Sequence, residues 1–271
     1  MKKISKKRFW EDFSTLEFSN LDIEKIVAVL PIAAIEQHGP HLPVGVDSII
    51  IESLVNIISE RLPKNSNLIF LPTQKIGKSN EHHRFPGTLS FTMETMTSML
   101  VDIGNSLNNF GIRKLVLFNS HGGNISIMDT VVRELRIHNK MFVFNLNWFG
   151  LGMPDGIFTD QELKHGIHAG DLETSVMLAI DSDKVLLSKA KNFIPKTIEL
   201  EKKFKNIGLN SGAKFGWATQ DLNSSGACGN AEIATVEKGE KTLKFITNKL
   251  LDVFKEIESI PLSTISNITD Y

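Results

Sequence analysis

The sequence predicts an α/β fold with a mostly parallel central sheet. Short apolar runs alternate with helix-periodic segments through the first two-thirds of the chain, which is the pattern of strands joined by right-handed helical crossovers. The apolar run at residues 26–35 contains several β-branched side chains, as is typical of a strand buried on both faces. The chain has 271 residues, enough for one sizeable core, so we expect a single domain over residues 1–271.

The first four elements alternate as a parallel sheet requires. After the strand at residues 26–35, apolar residues at helical spacing predict a helix over residues 48–62, which Pro63 ends. Residues 68–72 form a short second strand. The next helix spans residues 92–110, and the glycine that follows it is a common C-terminal stop.

The same alternation continues with a third strand, a helix and a fourth strand. These are predicted at residues 113–118, 125–139 and 141–146. Residues 148–167 are rich in glycine, proline and aspartate and are predicted to form a loop.

The segment 168–180 predicts a helix in its second half, with Leu172, Val176 and Ala179 facing inwards. Residues 186–234 show no clear periodicity, and the charge run at 199–205 is typical of a solvated segment.

A last helix is predicted over residues 236–257, where apolar residues recur at steps of three and four. The tail at residues 261–271 is predicted to be peripheral.

Composition excludes several classes of protein. The formal net charge is -1, so the chain lacks the electrostatic footprint of a nucleic-acid or acidic-membrane binder. The basic stretch 1–8 has no apolar segment after it, and the run 26–35 is too short to span a bilayer. The lone Cys228 rules out an intrachain disulfide framework and fits a reducing cytosol, so we expect a cytoplasmic protein in which this thiol is inert. No G-x-G-x-x-G follows a strand, which argues against dinucleotide binding.

A cluster of ligand-type residues begins where the first strand ends. Glu36 and His38 are two residues apart and point the same way in extended backbone, and Asp47 follows a Gly/Pro-punctuated loop that can fold back. Open α/β sheets bind ligands beyond the carboxyl ends of their strands. Oxygen ligands with imidazole suit Zn, Mn or Fe. The alternative is a polar strand end in which Asp47 is the N-cap of the next helix.

A second cluster, at residues 119–124, follows the third strand. His121 occupies its carboxyl end, and Gly122 and Gly123 allow close backbone approach. With Asn124 they precede a helix whose free amides could hold an anion, so these three residues are candidates for substrate binding.

Two further positions stay open. His82 and His83 lie in the irregular segment 73–90, where they could approach substrate or metal or be solvated loop residues; His82 is kept as a substrate-binding candidate. Glu173 lies in the first or second turn of its helix, where a favourable interaction with the helix N-terminus is the alternative to ligation.

Three motifs resemble those of the creatininase (creatinine amidohydrolase) family, in consistent order. They cover residues 36–47, 119–124 and 168–175, with weaker similarity at residues 85–88, 225–226 and 237–239.

The resemblance implies a three-layer α/β/α sandwich with a two-metal hydrolase site. Glu36 and His121 would hold one ion and His38 the other, with Asp47 bridging both. The expected cofactors are two divalent ions per subunit, Zn with Mn or Fe.

Two further roles also come from the resemblance. Glu173 would complete the ligand set and is a candidate catalytic residue, and His168 stands where the family has a histidine suspected in proton transfer. Family members are commonly hexamers, so a homo-oligomer is expected, with a small-molecule amide as substrate and neither nucleic acid nor membrane as partner.

Two positions depart from the creatinine-hydrolysing pattern. At the position of Gly123, the creatinine-hydrolysing pattern has a glutamate that serves as a metal ligand. At the position of Ile167, it has another glutamate. We therefore expect a wider pocket beside His121, poor creatinine turnover, and a larger cyclic or formyl-type amide with a negative group as substrate. The alternatives are a peptidase that trims a modified peptide in cofactor maturation, and a non-catalytic protein that binds metal or a small ligand.

Overall fold

The computed structural model describes residues 7–209 and 211–269. Its main sheet has four parallel strands in the order β2-β1-β3-β4. These are β1 Val27–Ile32, β2 Leu68–Phe70, β3 Lys114–Asn119 and β4 Phe142–Asn147. A short antiparallel pair, β5 Asn192–Phe193 with β6 Gly229–Asn230, lies apart from it. The prediction of a mostly parallel central sheet is confirmed.

Helices cover both faces of this sheet. In chain order they are α1 Thr15–Ser19, α2 Val46–Arg61, α3 Met93–Phe110, α4 Ile125–Asn139, α5 Asp160–His165, α6 Asp171–Asp181, α7 Thr197–Lys203, α8 Thr219–Leu222 and α9 Val236–Ser259.

Two cores lie on opposite faces of the sheet because alternate strand residues point to opposite sides. Val27 and Val29 of β1 join the core under α2, α6 and α9. Ala28, Leu30 and Ile32 join the core under α3, α4 and the N-terminal segment. Each face of the central strand is covered, which explains why its sequence is continuously apolar and confirms the three-layer architecture.

A buried lysine fastens the last helix to the sheet. Lys114, the first residue of β3, donates to the carbonyls of Ile257, Glu258 and Ile260 at 2.8, 3.0 and 2.5 Å. A cation at a helix C-terminus satisfies carbonyls that have no partner within the helix. The end of α9 is therefore fixed against the start of β3.

The structure departs from the predicted elements mainly in the second half of the chain. The predicted loop 148–167 contains α5, and the charge run 199–205 falls largely on α7. In α6, Val176 is buried, whereas Leu172 and Ala179 are only half-buried, because this helix packs against neighbours on more than one side. Residues 1–6 of the basic N-terminal stretch and residues 270–271 of the tail lie outside the described residues.

The strand order places a crevice at the carboxyl ends of β1 and β3. The connection from β1 leads to β2 on one side, and the chain then crosses to β3 on the other side of β1. Such a reversal of strand order is where open α/β sheets bind ligands. Among the residues that the structure describes, no helix combines the length and apolar character needed to cross a membrane.

Candidate metal centre

Five of the predicted side chains meet at this edge of the sheet. They come from the loop after β1, the first turn of α2, the segment after β3 and the first turn of α6, and they are Glu36, His38, Asp47, His121 and Glu173. Glu173 is half-buried, and the other four are buried. Residues far apart in the sequence therefore form one compact polar cluster.

Two groups of three ligand-type atoms overlap in the cluster, and Asp47 belongs to both. In the first group, His121 Nδ1 lies 3.2 Å from Glu36 Oε1 and 3.4 Å from Asp47 Oδ2. In the second, His38 Nε2 lies 3.6 Å from Asp47 Oδ1 and 3.9 Å from Glu173 Oε2. Ligands on one tetrahedral zinc, with bonds of about 2.0–2.2 Å, are roughly 3.3–3.6 Å apart. The distances in the two groups lie in or within a few tenths of an ångström of this range, so a small adjustment would let each group share a cation.

The backbone orients both imidazoles for ligation. His38 Nδ1 donates to the carbonyl of Glu36 at 2.9 Å, which turns its Nε2 towards the acids. His121 Nε2 donates to the carbonyl of Lys78 at 3.0 Å, which turns its Nδ1 towards them. Histidines that bind metals usually give their outer N–H to such a partner, because this hydrogen bond fixes the tautomer.

The electrostatics of the cluster are those of buried acids crowded together. Burial, then repulsion by Glu36, raises the pKa of Asp47, so its ionised form is unfavourable unless a cation is near. Burial also raises the pKa of Glu173, to about 7. Burial alone would raise the pKa of Glu36 as well, but the charge and hydrogen bond of the His121 imidazole are the main opposing effects, and that pKa lies well below its ordinary value.

Three buried atoms of the cluster have no hydrogen-bond partner among the described residues: Glu36 Oε2, His38 Nε2 and Asp47 Oδ2. Unsatisfied buried carboxylate and imidazole atoms are costly, and coordination of a metal ion would satisfy His38 Nε2 and Asp47 Oδ2. The donor set of acids and imidazoles suits Zn, Mn or Fe. The residues present therefore fit two divalent ions, although each ligand assignment stays a prediction.

The structure also bears on the alternative roles of the two helix carboxylates. The N-cap of α2 is Gly45, which has no side chain, so the interpretation of Asp47 as that N-cap is wrong. Glu173 Oε2 accepts the backbone N–H of Ala169 at 2.5 Å and also faces His38, so an interaction at the start of α6 and a place in the cluster coexist.

His168 lies just before α6 and turns into the cluster. Its Nε2 donates to the carbonyl of Gln37 at 2.6 Å, and its Nδ1 lies 3.6 Å from Glu36 Oε1. It also forms a group within 4.8 Å with Glu36 and His38. Burial, and then the neighbouring His38 and His82, lowers the pKa of His168 well below its ordinary value, so the ring stays neutral with a lone pair on Nδ1. Such a nitrogen can take up a proton or bind a cation.

Gly123 does not open the pocket. A Cβ at this position would lie within 3.0 Å of Glu81 Oε1, His121 Nε2 and the carbonyl of Lys78. The expectation of a wider pocket beside His121 is therefore wrong, because Glu81 fills the space that a side chain at position 123 would enter. A Cβ at Gly122, in contrast, would have nothing within 4 Å, so the open side lies there.

The anion site predicted from the backbone N–H groups of residues 122–124 stays a prediction, and the side chains around it do not add to it. Asn124 is buried, and its amide is used by the backbone: it donates to the carbonyl of Ala33 at 3.1 Å and accepts from the N–H of Lys78 at 3.0 Å. The described residues that line the adjacent cavity include several carboxylates but no lysine or arginine. The side chains of this cavity therefore offer no positive charge to an anionic group.

The two histidines of the irregular segment 73–90 differ in their exposure to solvent. His83 is exposed, whereas His82 is buried, lines the cavity and places its Nε2 3.5 Å from Glu36 Oε2. The solvated alternative therefore holds for His83 only. Burial chiefly lowers the pKa of His82, to about 4, so this ring is also neutral.

The cluster forms the floor of a cavity of about 520 Å³. Its outer wall is apolar and aromatic, with side chains from the segment after β4, from α5 and α6 and from the loop before α8: Trp148, Phe149, Met153, Leu163, Ile167, Leu172, Leu209 and Trp217. A volume in this range holds a ligand larger than a single small ring. The combination of a polar floor and an apolar wall fits an amide that carries an apolar group.

Sequence reasoning missed three residues that organise this site. Gln37 contacts both His82 and His168, Glu81 faces His121, and the buried Glu162 accepts the backbone N–H groups of Asp171 at 2.6 Å and Asn230 at 3.0 Å. The only signal for Gln37 and Glu81 was that they are adjacent in sequence to candidate histidines. Glu162 lies in the segment predicted as a loop, so nothing in the sequence pointed to it.

Comparison with known proteins places the chain in a family. The family model for creatininase, described as creatinine amidohydrolase, matches residues 11–254. The creatinine amidohydrolase of Pseudomonas putida is 29% identical over 249 residues, covering 85% of this chain and 89% of that protein. The mycofactocin precursor peptide peptidase of Mycolicibacterium smegmatis is 28% identical over 233 residues, covering 84% of each chain.

Solved creatininase structures have the same fold. A structure described as creatininase Mn is 25% identical with a TM-score of 0.75, and the match covers 94% of this chain and 100% of that chain. A mutant creatininase of Zn-Zn type is 26% identical, with the same TM-score and coverage. With the family model matching most of its length, the chain belongs to the creatininase (creatinine amidohydrolase) family of hydrolases.

Proposed function

We propose that this chain is a metal-dependent amidohydrolase that hydrolyses a carbon–nitrogen bond other than a peptide bond in a small cyclic or formyl-type amide. The observation that carries the proposal is the pair of buried acid–imidazole groups that share Asp47, at the floor of a cavity open to a substrate. A decayed binding protein would be expected to have lost some of these ligands. The complete set therefore favours an enzyme over a non-catalytic metal or ligand carrier.

The proposed cofactors are two divalent ions, Zn with Mn or Fe. Glu36, His121 and Asp47 would hold one ion, and His38, Asp47 and Glu173 the other. A pair of divalent ions in such a site activates water as a nucleophile and polarises a carbonyl. Solved family members with manganese or with two zinc ions support divalent metals in this fold.

The side chains around the cluster supply the remaining chemistry. The Nδ1 lone pair of His168 faces the floor of the cavity, where it would accept a proton during attack on the amide carbon and pass it to the departing nitrogen. The amide nitrogen is a poor leaving group until it is protonated, so this transfer is required for cleavage. Glu173, beside the same cluster, would keep its carboxylate on the side of the second ion and is the second candidate catalytic residue.

The cavity wall indicates the substrate class. Trp148, Phe149 and Trp217 offer apolar surface in the cavity that the cluster also lines. Because the described lining residues offer no cationic side chain, the proposed substrate carries no negative group. A neutral amide with an apolar or aromatic group, larger than creatinine, fits best.

A peptidase that trims a modified peptide is the second candidate. It is favoured by the size and apolar wall of the cavity, and by the similarity to the mycofactocin precursor peptide peptidase over most of both chains. The same cluster would serve either reaction, because both cleave an amide bond.

We also propose that residues 1–271 form one domain, and that the chain acts in the cytoplasm as a homo-oligomer, a hexamer as the family resemblance implies. Exposed apolar side chains such as Leu186 (59%) and Ile194 (63%) are the kind of surface that a subunit interface would cover. Light scattering on the eluting peak of a size-exclusion column measures the subunit number directly, and a monomer would contradict the proposal.

The functional test is turnover of a defined panel by metal-free and reloaded protein. Chelator-treated enzyme, restored with Zn, Mn or Fe, is incubated with lactams, formamides and short peptides with an aromatic residue, and products are identified by mass spectrometry. We expect metal-dependent cleavage of the larger neutral amides and weak or no creatinine hydrolysis. Cleavage that survives complete metal removal would contradict the proposal, as would no turnover of any amide by protein that has bound two ions.

A further inference from the structure

We propose that Gln37 is a positioning residue that fixes the tautomers of two histidines beside Glu36: its side chain turns the N–H of His82 towards Glu36, and its backbone carbonyl turns the lone pair of His168 towards it. The proposal rests on the proposed function of this site, since it assigns the supporting residues of the same cluster. It also moves His82 from a substrate contact to a residue that acts on Glu36.

Two backbone groups fix the orientation of the Gln37 amide. Its Oε1 accepts the N–H of Gly39 at 2.9 Å, and its Nε2 donates to the carbonyl of Gly226 at 2.7 Å. An N–H can only donate and a carbonyl can only accept, so the amide cannot be reversed without losing both bonds. Gly226 permits this approach because it has φ +82° and because a Cβ there would lie within 3.0 Å of the Gln37 amide.

The fixed amide decides the tautomer of His82. Gln37 Nε2 lies 2.7 Å from His82 Nδ1, and as a donor it requires a lone pair on that nitrogen. The hydroxyl of Thr219, 3.0 Å from the same nitrogen, lies 3.1 Å from the carbonyl of Glu81, to which it can donate, so it does not compel a proton on Nδ1. The proton of neutral His82 therefore sits on Nε2.

This proton is directed at Glu36. His82 Nε2 lies 3.5 Å from Glu36 Oε2, the oxygen that has no hydrogen-bond partner among the described residues. The distance is longer than an ordinary hydrogen bond, and a small shift of either side chain would close it. A protonated ring nitrogen cannot ligate a cation, so His82 supports the carboxylate rather than joining the ligands.

His168 is held the other way round by the same residue. Its Nε2 is only 2.6 Å from the backbone carbonyl of Gln37, a distance that requires the proton on Nε2. Its Nδ1 lone pair therefore faces Glu36 Oε1 at 3.6 Å. The rings of His82 and His168 are neighbours, with centroids 4.4 Å apart, yet one presents an N–H and the other a lone pair to the two oxygens of one carboxylate.

This arrangement has a consequence for the reaction. The N–H of His82 orients one oxygen of Glu36 and leaves the other for a cation, which is how outer residues commonly tune a metal ligand. His168 instead presents a lone pair to the same carboxylate. Gln37 thus makes the two neighbouring imidazoles present different groups, an N–H and a lone pair, to the same carboxylate.

Nitrogen NMR of the zinc-loaded protein tests the assignment without using turnover. Protein labelled with ¹⁵N at its eight histidines is compared with the His82→Asn and His168→Asn variants, which assign the two rings by the signals that disappear. We expect an unprotonated Nδ1 and a protonated Nε2 in both rings. A protonated Nδ1 on either ring overturns the proposal, whether or not the protein hydrolyses any amide.

A second variant distinguishes positioning from packing. Gln37→Glu keeps the shape but replaces the donor with an acceptor, so His82 should become protonated at Nδ1, whereas His168, held by the backbone, should keep its pattern. Thr219→Val is the matched control, and it should leave both patterns as in the wild type. An unchanged His82 in Gln37→Glu, or an altered His82 in Thr219→Val, would refute the role of the Gln37 side chain.

Discussion

Replacing Asp47 with asparagine should remove both metal ions while leaving the fold intact. Asp47 is the residue common to both ligand groups, and each of its oxygens faces a different imidazole: His38 at 3.6 Å and His121 at 3.4 Å. Asparagine keeps the size of the side chain but offers one neutral oxygen, which cannot offset two divalent charges. We expect purified Asp47→Asn protein to contain close to no metal where the wild type contains two ions per chain.

Compared with wild type, Asp47→Asn should be less stable when metal is supplied, and equally or more stable when metal is removed. An ion present at roughly 100 times its Kd stabilises the native state by about 2.7 kcal/mol, which for a chain of this size is about 5–10 °C in Tm. The variant should lose that gain. In metal-free protein the buried, repelled carboxylate of Asp47 has a raised pKa, so its ionised form costs stability at neutral pH. Metal-free Asp47→Asn should therefore be as stable as metal-free wild type, or more stable.

Elemental analysis and thermal unfolding, each on chelated and reloaded protein, measure these two quantities. Glu60→Gln is the matched control, because Glu60 is an exposed carboxylate on the same helix, far from the cluster in sequence. It should keep two ions and the full metal-dependent shift in Tm. Retention of two ions by Asp47→Asn would contradict this prediction. So would a metal-free variant that is less stable than metal-free wild type by more than about 1 kcal/mol, which is the largest loss expected from removing a negative charge at an exposed helix N-terminus.

Three further outcomes can be measured on the same protein. His168→Ala should keep its metal, by elemental analysis, while turnover of the best amide falls by about 10²–10⁴-fold; loss of metal would make His168 a ligand. Gly123→Ala should lower the free energy of unfolding by about 1–3 kcal/mol through overpacking, whereas Gly122→Ala, with open space at its Cβ, should be near neutral in denaturant titrations; equal effects would contradict the steric argument. The buried thiol of Cys228, whose pKa burial raises to about 12, should not react with a thiol reagent at pH 8 until the chain is unfolded; rapid modification of the native protein would show that it is accessible.

The fold was predictable where local pattern and tertiary environment agree. The continuous apolar run around β1 requires two covered faces, and the structure supplies a helix layer on each. The helix predicted over residues 125–139 has the bounds of α4, because its apolar residues share one face and Lys140 in the left-handed region ends it. These signals are contained in a few consecutive residues, which is why they can be read without the rest of the chain.

The region 186–234 was not predictable for the opposite reason. Its elements are short, and they are fixed by contacts that are distant in sequence: β5 pairs with β6, and the N–H of Lys196 donates to the carbonyl of Leu222 at 2.9 Å. Segments of two to seven residues have too little periodicity to be recognised. The role of α5 was missed similarly, because Glu162 acts through backbone groups that sequence does not mark.

The ligand-type residues of the site were visible because they sit at predictable strand ends. Glu36, His38 and His121 follow β1 and β3, and parallel neighbours bring those ends together. The supporting residues were not visible, since their identity matters only in relation to a partner. Gln37 is an ordinary polar residue until its amide is seen between Gly39 and Gly226.

The departure at Gly123 shows why a single position cannot define substrate preference. The creatinine-hydrolysing pattern has a glutamate at this position, so the smaller glycine suggested an enlarged pocket. In the structure, the side chain of Glu81 occupies that volume and approaches His121 from another segment of the chain. The glycine at position 123 and the Glu81 carboxylate therefore depend on each other. Any side chain at position 123 would displace the carboxylate that faces Nε2 of His121. In the proposed site, Glu173 on α6 would supply the carboxylate of the second ion instead. The open side of the cavity lies towards Gly122. The proposed preference for a larger amide thus rests on where the open space lies and not on the loss of one side chain.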